Sequence, residues 1–255
     1  LKKRKDALSS VTMHGLGSES IPPEKNNALK AAEAFSARFQ TNGADITVYK
    51  DIPIGAGLGG SSADSVGVLK AMCKLFSVEI EGCYDIANKY GSDIRYMLDG
   101  GFARMRGKGE LVEKLEKSKA PALNFLLLCP QTPVSAGECY REYDRLAIQG
   151  SKTTEQAISA YLEGDLQKLG ELLSNDLFAP AKALNEDVGR AYEELKSFSP
   201  LGVAMTGSGS CVFALFENKE LCEWAKSRYK GKFREIVARS FEESSSKTLK
   251  NPFAL

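Results

Sequence analysis

Four glycines fall within six positions of one short run, Gly55, Gly57, Gly59 and Gly60, and two serines, Ser61 and Ser62, follow at once. Glycine loses more backbone freedom on folding than any other residue, so this density costs too much for a plain turn. It suits a backbone that must approach a ligand closely and present its N–H groups. The residues that follow carry Val66, Leu69, Met72, Cys73 and Phe76 at helical spacing. An amide-rich loop at the head of a helix attracts an anion, typically a phosphate. Asp64, just inside that helix, must then face away from the anion.

Several loops compete for these residues. Gly55, Gly57 and Gly60 satisfy the G-x-G-x-x-G dinucleotide fingerprint. However, Lys50-Asp51-Ile52-Pro53 separates the preceding strand from the first glycine, and no convincing strand ends at Glu79 or Glu81 to supply the ribose acid. Gly55 and Gly60 also fit a Walker loop, but Ser61 stands where its lysine is required. A third reading takes Ser61-x-x-Asp64 as a capping box that opens a helix near Ser61. That explains the serine and the aspartate but not the glycines.

The elements around the loop read as mixed α and β. A strand is expected in Ser9–Gly15, a helix from Asn26 or Asn27 with Ala28, Ala31, Ala32, Phe35 and Phe39 on one face, and a strand at 46–50. A helix within 82–90 stops at Gly91. Residues 100–115 read as strand, Gly-Lys-Gly turn, strand. The charged stretch 113–121 marks a boundary between two lobes, 1–118 and 119–255. Beyond it come a buried strand at 122–130 and helices near 136–147, 153–162, 165–174 and 185–198. Strand, glycine turn and strand follow over 202–217, then a helix near 218–229, a strand at 233–240 and a loosely held tail. The absence of strict alternation favours α+β over a doubly wound sheet. No start signal for helix or strand precedes Ser9.

Composition narrows the function class. The chain has 255 residues, 43% hydrophobic and 26% charged, with a formal net charge of +1. That balance offers no basic field for nucleic acid or an acidic membrane, and no apolar run reaches spanning length. None of the six cysteines stands in a CxxC pair, and buried free thiols in a reducing compartment are expected. His14, the sole histidine, sits in a strand context that suits a structural role.

The run 53–65, Pro-Ile-Gly-Ala-Gly-Leu-Gly-Gly-Ser-Ser-Ala-Asp-Ser, resembles the phosphate loop of the GHMP kinase superfamily, which wraps ATP phosphates without a Walker lysine. The resemblance implies Gly55, Gly57, Leu58, Gly59, Gly60, Ser61 and Ser62 at the phosphates. It also implies a two-lobed α+β fold, with a ribosomal-protein-S5-like first lobe and a ferredoxin-like second lobe. Residues 91–110 are similar to the segment that carries the catalytic aspartate in members acting on a cytidine-diphosphate-linked polyol, and Asp93 falls on that aspartate. Without the resemblance, Ser92 or Asp93 would read as a cap on the turn after Gly91. Arg95 replaces the usual proline there, and Tyr96-Met97 replace two aromatics.

Residues 204–216 resemble the family's C-terminal glycine motif, so Gly207, Ser208 and Gly209 are expected to line the substrate cleft; alone they read as a hairpin turn. Residues 133–140 and Asn175-Asp176-Leu177-Phe178 carry further likeness, with Ala136 where threonine is usual. Asn27 and Lys50 match residues at the adenine side. The resemblance implies ATP and Mg²⁺, no dedicated metal cage, small-molecule partners only, a monomer or homodimer, and a cytoplasmic or plastid setting. Mevalonate or homoserine as acceptor, or a silent ligand-binding relative, are the alternatives. The family's opening Ala-Lys-Ile-Asn and Asp-Gly-Tyr-His are absent. The chain is therefore expected to start about fifty residues into the family pattern, as judged from motif order and domain size.

Overall fold

The computed structural model describes residues 1–15, 17–18, 21–115 and 122–240. The chain divides into two units, Leu1–Ile54 with Gly59–Leu115, and Gly55–Leu58 with Glu116–Leu255.

In the first unit, β1 (Lys2–Lys3), β2 (Ser10–His14) and β3 (Ala44–Tyr49) form a sheet in the order β1-β3-β2. Strands β2 and β3 run parallel, so a crossover must join them, and α1 (Asn27–Phe39) supplies it. Asn26 caps α1, its side-chain oxygen accepting from the amides of Ala28 at 3.0 Å and Leu29 at 3.3 Å. The expected apolar face is buried through Ala28, Ala31, Ala32 and Phe35. It packs with α2 (Gly60–Phe76), whose Leu69 and Met72 are fully buried in the same core. Truncating Leu69 to alanine there would cost about 2–5 kcal/mol. Ala44 and Ile46 of β3 face this core, and Tyr49 faces outward, stacked on His14 at 5.1 Å between ring centroids. His14 is thus an exposed stacking partner.

After α2 come α3 (Tyr84–Tyr90), α4 (Ser92–Asp99) and the hairpin of β4 (Ala103–Arg106) and β5 (Leu111–Lys114). Two elements here depart from the sequence reading. Strand β1 forms on two exposed lysines through its pairing with β3, which no local pattern announces. Residues 92–99, read at most as a capped turn, form α4. Ile94 and Leu98 are buried at i and i+4, and one turn more of periodicity would have revealed the helix.

The second unit is built on β6 (Asn124–Cys129), β7 (Gly202–Met205), β8 (Val212–Phe216) and β9 (Arg234–Arg239). They form an antiparallel sheet in the order β7-β8-β6-β9. Helices α5 (Ala136–Leu146), α6 (Thr154–Glu163), α7 (Leu166–Leu172), α8 (Phe178–Leu184) and α9 (Glu186–Lys196) fill the β6–β7 connection, and α10 (Lys219–Arg228) joins β8 to β9. This strand order with its two helical crossovers is the ferredoxin-like arrangement expected. Helix α8 is not among the expected helices, and it contains Pro180. The proline sits in the first turn, where its missing N–H is tolerated. Strand β6 is buried on both faces: Leu126 and Leu128 join a core with Val188 and Leu195, and Leu127 and Cys129 join one with Ala56 and Cys211.

The cysteine expectation is corrected in part. Cys73, Cys83, Cys139 and Cys222 are buried free thiols, and burial pushes the Cys83 thiol up to about 12. Cys129 and Cys211 are instead joined as a disulfide, with Cα atoms 4.3 Å apart. They extend the β6–β8 register by one position beyond Leu128 and Val212, which sets them directly opposite across a separation of 82 residues. Most of the charged boundary stretch, and the tail from residue 241, lie outside the described residues.

Candidate active site

Helix α2 begins two residues earlier than the capping-box reading requires. Its cap is Gly59, in the left-handed conformation at φ 64°, and no side chain caps its first turn. Ser61 lies inside the helix, and its hydroxyl accepts from Asn27 Nδ2 at 3.0 Å. Asp64 turns to Lys50, whose ammonium meets Asp64 Oδ2 at 2.5 Å with only 5% of the lysine side chain exposed. The first-turn amides therefore lack an internal side-chain partner, and the nearby carboxylate is neutralised. That is the condition an anion site at this helix start needs. Lys50, expected at the adenine side, is drawn under the start of α2. Its Nζ lies 3.1 Å from where a Cβ on Gly60 would stand.

Asp93, the second residue of α4, arrives at the same place. Its Oδ2 lies 3.8 Å from the position of a Cβ on Gly59, and Met97 Cε lies 2.5 Å from it. A side chain at residue 59 would displace the end of Met97 and come into contact with the carboxylate. Helix α4 is held by a polar cluster on its far side. Arg95 Nη1 donates to Asp99 Oδ2 at 2.5 Å, Tyr84 Oη donates to Asp99 Oδ1 at 2.9 Å, and the guanidinium lies 3.5 Å from the Tyr84 ring centroid. Burial alone would raise the Asp99 carboxyl, but the hydrogen bonds from Arg95 and Tyr84 and the charges of Arg95 and Lys114 outweigh it and hold it below the usual carboxylate range. Arg95, at the usual proline position, thus serves as an anchor between α3 and α4.

The earlier part of the glycine run belongs to the second unit. Gly57 has φ +74°, and a Cβ there would collide with the Thr206 carbonyl oxygen and approach Gly209. Only glycine allows this approach. Thr206 Oγ1 donates to the Gly57 carbonyl at 3.0 Å, and the Cys211 amide donates to the Ala56 carbonyl at 3.1 Å. The turn containing Gly207, Ser208 and Gly209 is therefore bound to Ala56 and Gly57, and Gly55 sits against Pro133. Leu58 packs with Ala56 on the apolar cluster that includes Cys129 and Cys211.

Among the predicted residues, then, Gly59, Gly60, Ser61, Asn27, Lys50 and Asp93 are brought together in the first unit. Gly55, Gly57, Leu58 and the 207–209 turn are brought together in the second. Sequence reasoning missed Met97, which packs on Gly59, and Thr206, whose hydroxyl holds Gly57; neither residue type signals such a role. Among the described residues, no three His, Cys, Asp or Glu side chains cluster as a metal site, and no helix is long and apolar enough to cross a membrane.

Two family models match the chain: the GHMP kinases N-terminal domain over residues 26–102 and the GHMP kinases C-terminal domain over residues 157–233. Over 224 residues the chain is 34% identical to 4-diphosphocytidyl-2-C-methyl-D-erythritol kinase of Caldicellulosiruptor saccharolyticus, covering 86% of this chain and 77% of that one. It is 35% identical over 222 residues to the kinase of the same name from Carboxydothermus hydrogenoformans, covering 84% and 75%. A crystal structure of 4-(cytidine 5'-diphospho)-2C-methyl-D-erythritol kinase superposes with a TM-score of 0.74 at 25% identity, covering 92% of this chain and 83% of that one. Homoserine kinase from Cytophaga hutchinsonii shares the fold with a TM-score of 0.71 at 18% identity, covering 94% and 84%. The glycine run that enters α2 and the aspartate beside it thus belong to a known sequence framework, and the chain is a member of the GHMP kinase family, in its 4-diphosphocytidyl-2-C-methyl-D-erythritol kinase branch.

Proposed function

We propose that this chain transfers the γ-phosphoryl group of ATP to the 2-hydroxyl of 4-diphosphocytidyl-2-C-methyl-D-erythritol, a step in non-mevalonate isoprenoid precursor synthesis. The observation that carries this reading is the Asp93 carboxylate beside Gly59, where the glycine run enters α2. A phosphate-rich nucleotide fits this place. The cradle is one a Cβ would fill, and α2 is 17 residues long with no side chain capping its first turn.

In the proposed reaction, the backbone of Gly55, Gly57, Leu58, Gly59, Gly60, Ser61 and Ser62 holds the ATP phosphates. Lys50 keeps Asp64 from opposing them. Asn27 and the Lys50 stem border the adenine side, and Asn27 also fixes the Ser61 hydroxyl. Asp93 orients the acceptor hydroxyl and takes its proton as the new O–P bond forms and the bond to ADP breaks. Gly207, Ser208 and Gly209 contribute to the substrate surface and brace Gly57. Mg²⁺, where bound, supplies charge neutralisation on the phosphates, and the Ser61 and Ser62 hydroxyls are its candidate protein partners. The substrates are small water-soluble molecules, which suits a cytoplasmic or plastid setting.

A coupled ADP-release assay across 4-diphosphocytidyl-2-C-methyl-D-erythritol, mevalonate, homoserine and galactose tests the acceptor. Turnover confined to the cytidine-diphosphate polyol is expected, and turnover confined to mevalonate or homoserine would overturn the assignment.

A further inference from the structure

The run Asn175-Asp176-Leu177-Phe178 has no part in the chemistry proposed above, yet its first residue makes three hydrogen bonds at the foot of the glycine turn. Asn175 lies between α7 and α8. Its side-chain Nδ2 donates to the carbonyl of Met205 at 2.8 Å and to that of Gly207 at 2.8 Å, and its Oδ1 accepts from the Leu177 amide at 2.9 Å. The pattern fixes the amide's orientation, since two carbonyls need donors and one N–H needs an acceptor.

The turn it holds lies beyond the last ladder pair of its strands, Met205 with Val212. Gly207 and Gly209 both have positive φ, at +56° and +87°, so the turn gains little stiffness from its own side chains. Inside it, the Thr206 amide donates to the Cys211 carbonyl and the Gly209 amide to the Thr206 carbonyl, each at 3.0 Å. From the same turn, the Thr206 hydroxyl and the Cys211 amide reach Gly57 and Ala56. The chain of contacts runs from the Asn175 amide, through the carbonyls on either side of Thr206, to the backbone of the glycine run. We infer that Asn175 is a positioning residue for the phosphate loop: it sets the seat of Thr206 and thereby the shape of Ala56-Gly57, without touching nucleotide. The inference rests on the phosphate-loop reading given above.

Asn175→Asp separates this role from general support. The carboxylate keeps the size of the side chain and the acceptor for Leu177, but sets an oxygen against two carbonyls that need donors. The expected result is about ten- to hundredfold weaker Mg-ADP binding by calorimetry at pH about 8, with the KM for ATP rising more than kcat falls. Lowering the pH toward about 5 protonates a carboxyl held among acceptors and restores one donor, so the variant's affinity should move back toward that of the wild type at the same pH. Thr206→Val should weaken binding by itself but add little in the Asn175→Asp background, because both act through one contact chain. Asn175→Ser, measured in the same way, replaces Asn175→Asp if the latter does not fold. Variants that bind Mg-ADP as tightly as the wild type, or effects of the two sites that simply add, would overturn the inference. Failure of the wild type itself to bind Mg-ADP would overturn the phosphate-loop reading on which it rests.

Discussion

Asp93 is a half-buried carboxylate that accepts from the Ser92 hydroxyl at 3.4 Å, on a helix anchored by Arg95, Asp99 and Tyr84. Replacing it with asparagine keeps the shape and removes the proton acceptor of the proposed reaction. Asp93→Asn is expected to lower kcat by about 10²–10⁴-fold while leaving Mg-ADP affinity within a few fold, as measured by steady-state kinetics and calorimetry. Asp99, six residues on, serves stability. Its carboxyl is held below the usual range in the folded chain, so its contribution is complete above the unfolded value of about 4 and is lost as pH falls through the folded value. Asp99→Asn should cost about 1–3 kcal/mol at neutral pH in denaturant melts, and the gap from the wild type should close on acidification below about pH 4. A larger gap at acid pH would reverse the sign of this account. The motif singled out Asp93, and the structure sets its carboxylate beside Gly59. Its neighbours Gly59 and Met97 were not paired with it by the sequence, because a loop-to-helix contact across more than thirty positions leaves no local trace. The Lys50–Asp64 pair was half legible: an aspartate at an anion site must be drawn aside, but what draws it is known only once β3 and α2 are packed.

At the scale of elements, the site depends on how α2 starts. The capping-box pattern at Ser61 and Asp64 is real in sequence, yet Gly59 caps the helix in its place. Asp64 pairs with the nearly buried Lys50 ammonium and so is not turned back to cap the helix. The glycine run is equally constrained on its other side by the Thr206 turn. Gly57→Ala would need a strained positive φ and would push a methyl group into the Thr206 carbonyl. It is expected to weaken Mg-ADP binding at least about tenfold, with far-UV circular dichroism unchanged; unchanged binding would mean that Gly57 does not shape the site. Long amphipathic elements such as α1, α2 and α9 were plain from their spacing. Helix α4 is too short for its period to show, α8 carries a proline in its first turn, and β1 exists only through its partner strand.

At the scale of the molecule, each unit has its own core, one around Phe35, Leu69 and Met72 and the other around Leu126, Leu128 and Leu195. Strands and helices mixed without strict alternation, and the two glycine turns, made an α+β chain legible from the sequence. The joining of Cys129 and Cys211 was not, since antiparallel register and not spacing brings them opposite. The fold alone cannot choose the acceptor, because a homoserine kinase shares it. In the proposed reaction the choice rests on which alcohol reaches Asp93. The most direct measurement is ³¹P and ¹³C NMR of the products formed by the whole chain from Mg-ATP and 4-diphosphocytidyl-2-C-methyl-D-erythritol. The account predicts one new phosphomonoester on the methyl-bearing C2 oxygen, with one ADP formed per product. Phosphate on another hydroxyl of the polyol, or no transfer to it while mevalonate or homoserine is phosphorylated, would contradict the account.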